Sequence, residues 1–191
     1  MKIFIDPNEA TTSNIGEFYR NPHIDEAGFW LPISLDRQLK SRWCWASIAS
    51  AVGIYYGTSS KQQSEIVKDL LGDFDDSIAD QSDDANVNFK LDVALKHVGS
   101  FGHWTIGKPI FERVQFEINH GRPLGVRLEW FKGGAHYILV KGYNDEDGTI
   151  LIEDSLHGKS TQKFSQFPNN YRESGAVWTE TFWTNKLTIK K

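Results

Sequence analysis

Cys44 is the one cysteine in the 191-residue sequence, so it can form no intrachain disulfide and is either buried apolar filler or a chemical group. Its neighbours Trp43 and Trp45 suit the first use. Its position suits the second, because Ser41 stands where a helix N-cap would and a helix should follow. Just inside a helix N-terminus, free N–H groups and the helix dipole favour an anionic sulfur. Such a sulfur attacks carbonyl carbon when a base handles its proton, a donor stabilises the oxyanion and a third group orients the base.

The sequence offers a candidate for each of these roles. Gln38 lies six positions before Cys44 on the segment leading to the helix, where its carboxamide could donate to a developing oxyanion. Of the six histidines, His136 has the most suggestive context. It follows Gly133-Gly134-Ala135, which lets another backbone or a substrate approach closely, and it opens the apolar strand Tyr137-Ile138-Leu139-Val140. His97 and His120 instead read as helix-ending residues.

Asn144-Asp145-Glu146-Asp147-Gly148 is a strong turn signal. A hairpin folded about residue 145 or 146 sets His136 opposite residues 154 to 156. Asp154 is then within reach of the imidazole as its orienting carboxylate, the alternative being a simple turn former before Ser155.

The elements that must carry these groups fall into two parts. Residues 1 to 28 read as an irregular N-terminal arm or propeptide-like extension, with turn signals at Asp6-Pro7-Asn8 and Asn21-Pro22. Helices are expected from about Trp43 to Tyr56, Gln62 to Leu71, Val87 to Val98 and Pro109 to His120, each followed by glycine at 57, 72, 99 and 121. Between them, Asp73 to Asp84 reads as a solvated loop whose acidic spacing is not that of an EF-hand.

Beyond Pro123 the pattern turns strand-like: Leu124 to Trp130, His136 to Tyr143, Thr149 to Glu153, Val177 to Thr184 and Lys186 to Ile189. Helices before strands argue for an α+β fold, one domain over 29–191 with a helical lobe at about 29–122 and a sheet lobe at about 123–191. The junction of the lobes is where a cleft would form.

The pattern Gln38-x5-Cys44-Trp45 and the block Gly133-Gly134-Ala135-His136-Tyr137 resemble the papain-like cysteine peptidases. The resemblance implies a Cys44 nucleophile, a His136 base and an oxyanion hole made by Gln38 with the Cys44 backbone N–H. Aspartate at 154, where papain itself has asparagine, is similar to bacterial branches that include the peptidases trimming double-glycine leader peptides. The tail from Phe164 to Tyr171 and from Gly175 to Thr184 also looks like short bacterial papain-like proteins. Ser41-Arg42-Trp43 departs from the plant-type Cys-Gly-Ser motif, so plant-type subsite preferences do not carry over.

The implied reaction is peptide-bond hydrolysis on a protein or peptide substrate, with no metal or organic cofactor. Trp45 and Trp130, with Gly133 and Gly134, are candidates to line the substrate cleft, though each tryptophan equally suits the core. The same triad could serve an acyltransferase, transglutaminase or deamidase, or a binding module could occupy the scaffold. Bacterial relatives of this kind include secreted proteases, host-directed effectors and peptide-maturation enzymes, so the role could be that of a secreted protease, effector or toxin.

A net charge of −4, spread without long runs, favours neither nucleic acid nor an anionic membrane as partner. The start MKIFIDPNEATTS lacks the basic and apolar regions of a secretory signal, and no run reaches the roughly 20 apolar residues of a membrane span. The expectation is a soluble monomer, cytoplasmic as synthesised, with export possible by a route that cleaves no leader.

Overall fold

The computed structural model describes residues 23–25, 28–73 and 84–186. In chain order the elements are β1 His23–Asp25, β2 Gly28–Trp30, α1 Cys44–Tyr56, α2 Gln63–Leu71, α3 Leu91–His97 and β3 Phe101–Ile106. They continue with α4 Phe111–Asn119, β4 Leu124–Trp130, β5 Ala135–Asn144, β6 Thr149–Glu153, β7 Ser160–Lys163, a 3-10 turn at Tyr171–Glu173 and β8 Ala176–Thr184. Among the described residues the eight strands make one sheet in the order β1-β2-β5-β4-β8-β3, with β6 and β7 continuing from β5. Every pairing is antiparallel.

Helix α1 is the hub. Trp45, Ile48, Ala49 and Val52 are fully buried and belong to one core with Ile66 of α2, Leu91 and Leu95 of α3, and Leu124, Val126, Leu128, Ile138 and Val140 of the sheet. Burying each large apolar side chain contributes roughly 1.5–3 kcal/mol. Contact between α1 and β5 sets the start of the helix against the start of the strand, which is how Cys44 and His136 come together. Gly57 ends α1 with φ +64 in the left-handed region, as its place after the last apolar residue predicts.

Several expectations need correcting. Ser41 is not the N-cap of α1; Trp43 occupies that place without a side-chain cap, and the helix begins at Cys44 itself. The helix expected over Val87 to Val98 starts only at Leu91, because the indole N–H groups of Trp43 and Trp45 take the carbonyls of Ala85 (2.9 Å) and Val87 (3.0 Å) and hold that stretch extended.

The arm is not irregular throughout, since His23–Asp25 and Gly28–Trp30 are strands. Gly142 of β5 admits β2: a Cβ there would lie 2.6 Å from the Phe29 carbonyl oxygen. β3 and β7 were not expected at all, and β3 joins the sheet edge although it falls within the part read as helical. The strand expected from Lys186 to Ile189, all but its first residue, and most of the Asp73 to Asp84 loop lie outside the described residues. Among the described residues, no helix is long and apolar enough to cross a membrane.

Candidate active site

Cys44 is the first residue of α1 and is 5% exposed. The amides of residues 44 to 46 precede the first intrahelical bond, from Ser47 N–H to the Trp43 carbonyl, so their donors point out of the helix start. The flanking tryptophans have 0% exposure. Their anchorage to Ala85 and Val87 fixes the direction in which α1 begins.

His136 is the second residue of β5 and is 5% exposed. Its Nε2 lies 2.8 Å from Asp154 Oδ1, and the Cys44 side chain is close enough to its ring to act on its charge. With Nε2 committed to the carboxylate, Nδ1 is the nitrogen left for the sulfur. Burial is the largest influence on the imidazole and lowers its pKa. The hydrogen bond to Asp154 and the nearby Cys44 side chain, with the charges of both, outweigh it and push the pKa up to about 9.

Asp154 directly follows β6, where the chain turns. Its Oδ1 also accepts the backbone N–H groups of Leu156 (2.8 Å) and His157 (3.0 Å), so the carboxylate shapes the turn and meets the histidine with one oxygen. Its Oδ2 accepts the hydroxyl of Tyr171 at 2.8 Å. Burial acts to raise the carboxyl pKa, but the hydrogen bond and charge of His136, then the Leu156 N–H and Tyr171, bring it down to about 2. A carboxylate beside an imidazolium is therefore the favoured state.

Gln38, 7% exposed, stands on the segment leading to Cys44. Its Nε2 donates to the carbonyls of Lys40 (3.0 Å) and Ser41 (2.7 Å), while Oε1 accepts the hydroxyl of Ser155 at 2.9 Å. Its backbone N–H donates to the Ser155 carbonyl at 3.1 Å. The segment before Cys44 is thereby tied to the residue after Asp154. Both carboxamide hydrogens are engaged by carbonyls.

The tentative cleft residues separate. Trp45, with 0% exposure and its indole N–H on Val87, is enclosed in the core, which corrects its expected place beside a substrate. Trp130 is partly exposed and near-parallel to the His136 ring at 6.2 Å and to Tyr171 at 6.0 Å. Gly133 and Gly134 form the exposed turn between β4 and β5 with φ of +91 and +84, conformations that favour glycine.

Other histidines are engaged elsewhere: His97 with Asp69 at 2.7 Å and His120 with the Phe116 carbonyl at 2.7 Å, both at helix ends. His103 stacks on Trp183 at 5.7 Å. Sequence reasoning missed Ser155 and Tyr171. Ser155 is visible only as the neighbour of Asp154, and Tyr171 sits in a turn-rich stretch without periodicity.

An antiparallel sheet whose histidine-bearing strand meets the cysteine-bearing start of a central helix is the papain-like fold, and the chain is a papain-like cysteine peptidase. The profile of the family described as "Peptidase_C39 like family" matches residues 30–180, and the chain belongs to that family.

Among solved structures it is similar to a double glycine motif protease from an AMS/PCAT transporter in complex with the leader peptide. That match has TM-score 0.48 and 13% identity, and covers 81% of this chain and 93% of that one. It is also similar to the Pseudomonas avirulence protein AvrPphB, with TM-score 0.34 and 12% identity, covering 50% of this chain and 58% of that one. No curated protein matches the sequence.

Proposed function

We propose that the protein hydrolyses peptide bonds in protein or peptide substrates, with Cys44 as nucleophile, His136 as acid and base, and Asp154 as the group that orients the histidine. The observation that carries this reading is the placement of His136 between the two others, with Cys44 acting on its ring and Asp154 2.8 Å from its Nε2. The thiolate attacks the amide carbonyl, forming the carbon–sulfur bond, and the carbonyl oxygen takes the negative charge. His136 gives its proton to the departing amine nitrogen as the carbon–nitrogen bond breaks. Water, deprotonated by the neutral imidazole, then adds to the thioester and releases the acid and the thiolate.

The oxyanion falls to the Cys44 N–H and the Gln38 carboxamide. In the resting site both Gln38 hydrogens rest on the Lys40 and Ser41 carbonyls, so donation to the oxyanion exchanges one of those bonds for the charged acceptor. Gln38→Ala should lower kcat on the order of 10²- to 10³-fold. An unchanged kcat would assign the oxyanion to backbone groups alone.

The protonation of His136 sets the basic limit of activity. Its folded-state pKa lies above the ordinary 6.5, so the imidazolium that protonates the leaving amine persists through neutral pH and is lost as pH rises through about 9. The stability contributed by its bonds follows the same sign: complete below 6.5 and lost through about 9. The basic limb of kcat/KM is expected near pH 9, and a limb near 6.5 would contradict the ion-paired site.

A further inference from the structure

Tyr171 is supplied to Asp154 from a part of the chain that carries none of the groups named above. Three donors converge on Oδ1 of Asp154, from His136, Leu156 and His157, whereas among the described residues Oδ2 receives only the Tyr171 hydroxyl, at 2.8 Å. The side chain of Asp154 has 0% exposure. Without the phenol, Oδ2 would be a buried carboxylate oxygen lacking a donor, and one restraint on the rotation of the carboxylate would be gone.

The segment from Phe164 to Gly175 is built to deliver that hydroxyl. Lys108, from the connection between β3 and α4, donates to the carbonyls of Phe164 and Phe167 and lies 4.0 Å from the centre of the Phe164 ring. Phe167 packs edge-on to Tyr171 at 5.1 Å, and Trp130 stacks on it at an interplanar angle of 5°.

Arg172 and Glu173 adopt φ of +51 and +62, a region that side chains rarely occupy, directly after the tyrosine. Arg172 Nη2 reaches the His157 carbonyl at 3.2 Å, tying this segment to the Asp154 turn. The strained pair, the lysine clamp and the ring stack all bear on the placement of one phenol.

We propose that Tyr171 is a positioning residue for the peptidase reaction: its hydroxyl fixes Asp154 so that Oδ1 holds the Nε2 proton of His136 and directs Nδ1 at Cys44. This inference rests on the triad assigned above. The phenol does not touch the reacting atoms and acts through the carboxylate alone. Burial, the charge of Asp154 and its hydrogen bond push the Tyr171 pKa up to about 12, so the group stays a donor throughout the working range. Trp130, lying near-parallel to both rings, covers one side of the His136–Asp154–Tyr171 chain.

Tyr171→Phe keeps the ring and its stacking and removes only the hydroxyl. The expected result is a kcat about tenfold lower with KM unchanged, the loss of one hydrogen bond to a charged group. Carbon NMR of the Asp154 carboxyl supplies a readout that needs no substrate. In the wild-type protein the group stays ionised as pH falls past its ordinary 3.8, and in the variant its titration moves up by about one unit.

An Asp154 titration unmoved in the variant would overturn the proposal. So would a lower melting temperature accompanied by an unchanged kcat, the signature of a purely structural tyrosine. Were the wild-type protein not to cleave peptides, the triad reading would fail on its own, while the Asp154 titration would still report whether Tyr171 governs the carboxylate.

Discussion

Cys44→Ala should reduce peptide hydrolysis to background, a loss on the order of 10⁴-fold or more, with the fold retained. The size follows from the chemistry: alanine offers nothing to form the thioester, and the remaining donors cannot turn water into an equivalent nucleophile. Retention of the fold follows from the packing. The start of α1 is fixed by Trp43 and Trp45 through their indole bonds to Ala85 and Val87, and none of these involves the sulfur. Circular dichroism and the melting temperature should therefore match the wild type while the cleavage assay goes silent. Cleavage that survived the substitution would remove Cys44 from the mechanism.

Asp154→Ala should be damaging in two separable ways. It strips the acceptor from four donors at once: the His136 ring, the Tyr171 hydroxyl and the N–H groups of Leu156 and His157. With the site this buried, the cost to stability should be about 3–5 kcal/mol, the range for breaking one side of a buried charge pair.

The imidazole would also lose the partner that selects its tautomer and stabilises its charged form, so kcat should fall by roughly 10²- to 10⁴-fold in the molecules that remain folded. Asp154→Asn should lose less in both respects, because its amide oxygen still accepts from Nε2 and from the turn. Denaturant unfolding alongside kcat separates the two effects. A loss of stability in the alanine variant with kcat unchanged in its folded molecules would mean that the carboxylate does no more than shape the turn.

The stability of the Asp154 pair carries its own sign. The carboxyl pKa lies below its ordinary 3.8, so its contribution is complete above that value and is lost as pH falls toward about 2. The imidazolium side is lost only toward about 9.

The four candidate residues were legible in the sequence because local rules govern each. A lone cysteine at a helix start, a glutamine six residues upstream and a glycine-flanked histidine opening an apolar strand are all short-range patterns. The hairpin register did the long-range work. Leu139 pairs with Glu153 beyond a bulge near Lys141, and continuing that register would set His136 against Leu156. The strand ends before that pair is reached, and the turn swings Asp154 back onto the imidazole instead.

What stayed hidden depends on tertiary placement. β7 is the polar four-residue strand Ser160–Lys163, and β3 carries Gly102 and exposed side chains on nearly every position, so neither shows apolar–polar alternation in its sequence. Ser41 satisfies the local rule for an N-cap, but its hydroxyl accepts from Asn86 Nδ2 at 3.0 Å and the helix starts without it. Trp45 looked equally like core or cleft, and its burial decides for core. Tyr171 is seventeen residues from Asp154, and no sequence period connects them.

Peptide hydrolysis through Cys44 leaves its signature in the products themselves. A mixture of denatured proteins incubated with the enzyme in heavy-oxygen water, then examined by mass spectrometry, reports every bond change at once. Hydrolysis through Cys44 yields fragments whose new C-terminal carboxyls carry the heavy label, formed by the wild-type protein and not by Cys44→Ala. Intact chains bearing deamidated glutamines, or chains joined to one another, formed only when Cys44 is present, would contradict peptide-bond hydrolysis and make the same triad a deamidase or a transferase.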